Sequence, residues 1–182
     1  MLTFLFAVLM PVLSARAAGD QKTGAKPPTW NGFVGDSGFV VEYPPGFKAD
    51  PSFQDPEGKL EVVQFWPKGH CAGRAERDCA ARDGWFNLLV IPKDIISRYN
   101  HVDSFSDYVS AVKSQSASGG EKPSASAAKN KRLRGVVLLL GQPAGPFSAM
   151  AYFEGKKVYY RFSYDKGNTA IKRVVASLSE GQ

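Results

Sequence analysis

Three segments in the first half of the chain have the apolar patterns of β-strands. Residues 38–43 combine aromatic and β-branched side chains and end at Pro44. Residues 60–66 follow a turn-like segment, and residues 85–91 form a continuous apolar run that ends at Pro92. We therefore predict three strands, of which the third lies in the interior of the sheet.

The periodicity then changes to that of a helix. Ser104, followed by Asp107 three residues later, resembles a capping box in which Asp replaces Glu, so we predict a helix over about residues 104–116. Four apolar residues are spaced to lie on one face of it: Phe105, Tyr108, Val109 and Val112. Residues 114–131 are rich in Ser, Ala, Gly and Lys with little to bury, and they predict a mobile loop.

The second half of the chain continues with strands and a terminal helix. Strands are predicted over residues 132–141, 147–153 and 158–164, and Glu154 to Lys157 forms a hairpin turn between the last two. Asn168 or Thr169 caps the final helix. The apolar face of this helix comprises Ile171, Val174, Val175 and Leu178. The predicted order is β-β-β-α-β-β-β-α, and helices set between blocks of hairpin-connected strands indicate the α+β class.

The amino-terminal residues predict export. Residues 2–13 are apolar for about a dozen positions, and Ala15-Arg16-Ala17 has the small-x-small pattern of a cleavage site. Because a membrane-spanning helix needs about 20 apolar residues, we interpret residues 1–17 as a secretory signal peptide and predict no transmembrane segment. The protein is then periplasmic or secreted. Residues 18–36 predict a flexible leader, and residues 37–182 a single domain.

The chain has two cysteines, Cys71 and Cys79, which lie close together. In an oxidising compartment this pair predicts a disulfide that closes a short loop. The alternative is a metal site that also uses His70 and His101. Paired ligands of structural zinc sites usually lie roughly two to four residues apart, closer than these cysteines, so we expect the disulfide and no metal.

Charge suggests one binding hypothesis. The chain carries 23 Lys and Arg against 17 Asp and Glu, a net charge of +6, which favours encounters with anionic lipid headgroups or acidic partners. The candidate contact residues for an anionic surface are Lys129, Lys131, Arg132, Arg134, Lys156 and Lys157. The alternative is a solvated loop end whose cations discourage edge-to-edge strand pairing. The modest charge and the predicted compartment argue against nucleic acid as a partner.

Aromatic residues suggest another hypothesis. Trp66, Trp85, Tyr159 and Tyr160 would line a groove for a small ligand or a lipid, or else would pack in the core and on the sheet faces. A sugar or lipid in such a groove would quench tryptophan fluorescence.

The sequence contains no motif of a known catalytic site. Gly-x-Ser-x-Gly, His-Glu-x-x-His and Gly-x-x-x-x-Gly-Lys-Ser/Thr are all missing. His70 and His101 are the only histidines, and neither has the sequence setting of a catalytic base. We predict no enzymatic activity and no cofactor, with a hydrolase whose catalytic residues are scattered along the chain as the remaining alternative.

Several motifs resemble the PsbP-like and Mog-type family. Tyr43-Pro44-Pro45-Gly46-Phe47 resembles the Tyr-Pro-x-Gly-Trp signature after the family's first strand, and residues 104–108 resemble its mid-chain helix. Residues 155–160 resemble its hairpin and residues 171–178 its terminal helix. The resemblance spans residues 38–180 and implies an α/β/α sandwich with a largely antiparallel sheet of about six strands.

Members of that family include extrinsic subunits of photosystem II, a Ran-binding factor and exported bacterial proteins of unknown role. The resemblance implies no role for any single residue. We therefore expect a monomeric, non-catalytic exported binding or accessory protein of the cell envelope, which acts through protein-protein contacts. A periplasmic module that binds a small ligand or a lipid is the alternative.

Overall fold

The structure, a computed structural model, describes residues 28–54, 60–69, 84–116, 122–141 and 147–181. The predicted signal peptide, His70, Cys71 and Cys79 lie outside these residues. The described elements, in chain order, are β1 (Asn31–Val34), β2 (Phe39–Tyr43), β3 (Phe47–Gln54), β4 (Glu61–Pro67), β5 (Phe86–Pro92), α1 (Lys93–Asn100), α2 (Phe105–Ser116), β6 (Ser124–Ala127), β7 (Arg134–Leu139), β8 (Ala149–Glu154), β9 (Val158–Tyr164), α3 (Ile171–Ser177) and β10 (Ser179–Glu180).

The strands form two antiparallel sheets. The larger sheet has seven strands in the order β3-β4-β5-β9-β8-β7-β6, and the smaller has three in the order β1-β2-β10. The α+β class is therefore confirmed, and β5 lies in the interior of the larger sheet, as its continuous apolar run predicted. None of the described helices is long and apolar enough to cross a membrane.

Both faces of the larger sheet are covered. On one face, Phe65, Phe86 and Phe162 are fully buried beneath the smaller sheet and Val174 of α3. On the other face, the helices α1 and α2 cover the sheet, and Tyr159 of β9 packs in that second cluster. Successive side chains of a strand point to opposite faces, so a strand covered on both sides is apolar at consecutive positions.

The predicted helix over residues 104–116 is confirmed as α2, together with its cap. The Ser104 hydroxyl accepts a hydrogen bond from the Asp107 backbone N–H at 3.1 Å and donates one to the Asp107 carboxylate at 2.6 Å. The shorter Asp side chain meets the Ser hydroxyl rather than the backbone N–H that a Glu would reach in a capping box.

The six-strand order was wrong, because tertiary contacts create strands that lack an apolar pattern. Asn31–Val34 lies in the predicted flexible leader, yet it forms β1, which pairs with β2. The ring centre of Phe33 in this strand lies 5.9 Å from that of Phe39 and 6.0 Å from that of Phe65. Ser124–Ala127 lies in the predicted mobile loop, yet it forms β6 beside β7.

Three further elements were not predicted: β3, α1 and β10. β3 contains Pro51 and a register shift between Pro51 and Phe53, and it is an edge strand, the position in a sheet that tolerates proline. Pro92 ends β5 as predicted, and it is also the N-cap residue of α1. The C-cap residue of this helix, His101, has the left-handed backbone conformation. β10 is only two residues long and forms by pairing with β2.

Candidate binding surface at the basic end of the sheet

The six basic residues singled out in the sequence lie at one end of the larger sheet. Arg134 at the start of β7 is paired with Glu154 at the end of β8, so the loop before β7 lies beside the β8–β9 turn. That turn is closed by a hydrogen bond from the Gly155 N–H to the Val158 carbonyl at 2.9 Å, and it carries Lys156 and Lys157. We call this region, which also contains Lys129, Lys131 and Arg132, the basic end.

Asn130 holds the loop of the basic end against α3. Its carboxamide nitrogen donates to the backbone carbonyls of Val175 and Leu178 at 2.7 and 2.9 Å. Its carboxamide oxygen accepts from the backbone N–H groups of Arg132 and Leu133 at 2.7 and 2.9 Å. Because all four partners are backbone groups, this one side chain fixes the path of the chain that presents the neighbouring cations.

Glu180 of β10 holds the β8–β9 turn in a similar way. Its carboxylate accepts hydrogen bonds from the Lys156 backbone N–H at 2.8 Å and from the Tyr160 hydroxyl at 3.4 Å. Burial and the neighbouring Glu180 carboxylate both raise the pKa of Tyr160, so its hydroxyl stays protonated as a donor. A shallow depression of about 290 Å³ lies here, lined in part by Ser37, Lys157 and Glu180.

The cations of the basic end are not neutralised by neighbours. Lys129, Lys131, Arg132, Lys156 and Lys157 are exposed, and within the described part of the chain none of them forms an ion pair. The nearby Glu154 is instead paired with Lys93 of α1 at 3.0 Å. The exposed Arg134 guanidinium lies 5.6 Å from the centre of the Phe105 ring. The surface therefore keeps a concentrated positive charge.

The four aromatic residues proposed for a ligand groove are not brought together at one site. Trp66 and Trp85 stack with a ring distance of 4.5 Å at the end of the sheet opposite the basic end. Tyr159 is buried towards the helices and stacks on Tyr108 at 4.8 Å. Tyr160 points to the opposite face, beneath the smaller sheet. The two tyrosines thus follow the alternative interpretation, in which they are core and sheet-face residues.

Sequence reasoning missed a polar pair on the helix-covered face. Arg161 of β9 lies opposite Leu89, and Asn87 lies one pair further along, opposite Ser163. The Arg161 Nε and the Asn87 Oδ1 are buried, and neither has a hydrogen-bond partner in the part of the chain that the structure describes. Among the described residues no carboxylate is paired with Arg161. An arginine in the middle of the apolar strand Val158–Tyr164 is the sequence signal that could have drawn attention to it.

Tyr152 lies opposite Arg161 on the neighbouring strand β8. The Tyr152 hydroxyl donates to the Met150 sulfur at 3.0 Å. Burial raises the pKa of Tyr152 and of Tyr108, while the positive charge of Arg161 acts in the opposite direction. Among the described residues, the titratable groups beside the guanidinium are therefore neutral hydroxyls and not a counter-charge.

No model of a known protein family matches the chain, and no curated protein matches it either. Within the described ranges, no three His, Cys, Asp or Glu side chains are grouped so that they could hold a metal ion. Of the residues in the alternative metal hypothesis, only His101 is described, and it is exposed at the end of α1.

Proposed function

We propose that this protein is an exported, non-catalytic binding or accessory protein of the cell envelope, which docks an acidic protein surface through its basic end. The observation that carries the proposal is the convergence of six basic side chains from separate segments of the chain, with no ion pair among the described residues to neutralise them. Concentrated charge of one sign steers an oppositely charged partner and sets its orientation.

The backbone beneath these cations is fixed before binding. Asn130 ties one segment to α3, and Glu180 ties the other to β10. A surface that is already ordered loses less conformational entropy when it binds, and so more of the electrostatic attraction contributes to affinity. This arrangement supports a docking role more strongly than it supports a loop end that is merely solvated.

The arrangement of the elements supports the fold that the family resemblance implies. The Tyr43–Phe47 signature lies where β2 leads into β3, and residues 155–160 form the β8–β9 hairpin and the start of β9. Helices on one face of the larger sheet and α3 on the other are consistent with an α/β/α sandwich. We therefore propose a PsbP-like protein in which a basic surface, rather than an active site, performs the function.

Charge reversal tests the docking role. We would replace Lys131, Arg132 and Lys157 together by Glu and measure binding to immobilised polyglutamate over a range of salt concentrations. If each cation contributes about 0.5 kcal/mol, the variant loses about 1.5 kcal/mol, which is roughly tenfold in affinity. Binding by the unchanged protein should weaken as salt screens the charges.

A matched control has the same net charge but leaves the basic end intact. Lys68, Lys166 and Lys172 are exposed. Lys68 follows β4 and Lys166 follows β9 at the opposite end of the sheet, and Lys172 lies in the first turn of α3. Their replacement by Glu should change binding less than about twofold. Equal losses in the two triple variants would contradict the proposal, because net charge alone would then explain binding. Preference for vesicles containing phosphatidylglycerol over polyglutamate would indicate a lipid surface instead.

Export is tested separately from docking. The mature protein is expected to lack residues 1–17 and to have its two thiols oxidised, which the intact mass and a thiol titration would show. An intact Met1 together with free Cys71 and Cys79 in a cytoplasmic pool would contradict the proposed location.

A second candidate function, binding of a small carboxylate-bearing ligand, is favoured by the Arg161–Asn87 pair. The Nε of the half-buried Arg161 has no hydrogen-bond partner among the described residues, and an unpaired buried polar group is costly. A guanidinium matches the two oxygens of a carboxylate. The test is thermal unfolding in the presence of a panel of small carboxylic acids and of their amides. A carboxylate that raises the melting temperature of the protein, but not of its Arg161→Met variant, would support this function. An unchanged shift in the variant would exclude this site.

A further inference from the structure

The strand β6 is an edge strand of the larger sheet. Its four residues, Ser124–Ala127, are all exposed, and among the described strands β7 is its only neighbour in the sheet. The opposite edge strand, β3, contains Pro51 and a register shift, both of which hinder the addition of another strand. β6 itself contains only Ser and Ala, so its edge has neither proline nor charge to block pairing.

The register shows which backbone groups of β6 are free. The Ala128 N–H donates to the Gly135 carbonyl at 3.0 Å, and Ala127 lies opposite Val136. Residues of an antiparallel pair alternate between hydrogen-bonded and non-hydrogen-bonded positions, so Ser126 bonds to β7 while Ala125 and Ala127 direct their N–H and C=O groups outward. Two donors and two acceptors are thus aligned along the open edge.

A groove lies beside this edge. It has a volume of about 340 Å³ and lies between α2 and the strands β6 and β7. Its floor includes Val136, and its walls include Phe105 and Val109 on the helix side and Ala125 on the edge side. The small alanine side chains of β6 leave room for apolar side chains of an added strand.

Two cations, Lys113 and Arg134, also line the groove, and Lys122 and Lys129 flank β6 in sequence. All four are exposed, and among the described residues none of them forms an ion pair. An occupant that complements this charge must carry carboxylates on both sides of its apolar residues.

We propose that an extended, acidic segment of a partner protein adds a strand to β6 and places alternate side chains in the groove. Apolar side chains contact Val109 and Val136, and carboxylates lie beside Lys113 and Arg134. This inference rests on the proposed docking function and names its mode, since strand addition takes affinity from backbone hydrogen bonds and specificity from alternate side chains.

The probe is a fluorescent peptide of sequence Glu-Ser-Val-Ser-Val-Ser-Glu, in which every second residue faces the groove. Binding is measured by anisotropy, and amide hydrogen exchange reports protection at Ala125 and Ala127. Proline at Ala127 removes an outward N–H and should weaken binding at least about tenfold, whereas Ser126→Ala keeps every backbone group and should leave binding unchanged. The same peptide with N-methylated valines should also bind at least about tenfold more weakly, with the protein itself unaltered.

A protein that does not bind the peptide, or that binds it equally well after both changes, would overturn the inference. Docking and strand addition are distinguished by Lys156→Glu with Lys157→Glu, which lie outside the groove. Suppose that the Lys156→Glu, Lys157→Glu variant loses polyglutamate binding, and that Ala127→Pro leaves peptide binding unaffected. That result would retain the proposed function and reject strand addition. The converse result would retain strand addition and reject a role for Lys156 and Lys157 in docking.

Discussion

Replacement of Asn130 tests whether the basic end is held in place by a single side chain. Asn130→Ala removes two hydrogen bonds to the carbonyls of Val175 and Leu178 and two from the N–H groups of Arg132 and Leu133. A net hydrogen bond contributes about 1 kcal/mol, which gives about 4 kcal/mol for four. Arg132 is exposed and water can replace its partner, so we expect a loss of about 3 kcal/mol.

Urea denaturation measures this loss. With a dependence on denaturant of about 2 kcal/mol per molar, the midpoint should fall by about 1.5 M. Domains of this kind have a total stability of about 5–15 kcal/mol, so the change is a large fraction of the whole. The adjacent Lys129 is exposed and forms no ion pair with a described residue, and Lys129→Ala should change stability by less than about 0.5 kcal/mol.

A second variant separates hydrogen bonding from packing. Asn130→Asp has nearly the same shape and keeps the acceptor for Arg132 and Leu133, but it places a carboxylate oxygen against two backbone carbonyls. It should therefore be at least as unstable as Asn130→Ala at neutral pH. If both variants lost less than about 1 kcal/mol, the four bonds would not determine the conformation of this loop and the reasoning would be refuted.

Two other predictions concern the turn and the buried tyrosines. A Cβ at Gly155 would overlap the Glu180 carboxylate and lie 2.9 Å from the Tyr160 ring. Gly155→Ala should therefore lower the free energy of unfolding, measured by urea denaturation, by about 1–3 kcal/mol. A change below about 0.5 kcal/mol would contradict this prediction. Burial raises the pKa of Tyr152 and, together with Glu180, that of Tyr160, so the folded protein holds protons that the unfolded chain releases above about pH 10. Stability should therefore be insensitive to these groups below pH 10 and fall as the pH rises through their folded pKa, by up to about 1.4 kcal/mol per pH unit for each tyrosine. Thermal melts between pH 8 and pH 12 should show a shallower fall for Tyr160→Phe, and an identical fall in the variant would count against it.

The local sequence pattern was sufficient to predict the elements whose side chains face a core. The run at Phe86–Pro92, the hairpin at Glu154 and the helix that begins after Ser104 were all predictable, because alternation, helical spacing and capping are encoded within a few neighbouring residues. The same pattern indicated the α+β class. The sequence also indicated the six cations of the basic end as one candidate contact surface, although they come from two separate segments of the chain.

Tertiary structure decided what no local pattern encodes. Asn31–Val34 and Ser124–Ala127 became strands because backbone groups of β2 and β7 lie beside them, although their own side chains bury little. The register of β7 on β8 brought Lys131 and Lys157 to one end of the sheet, and packing placed Arg161 on a covered face where no described carboxylate pairs with it. Propensity and periodicity depend on neighbours in sequence, whereas register, edge position and the pairing of charges depend on residues that only the fold brings together.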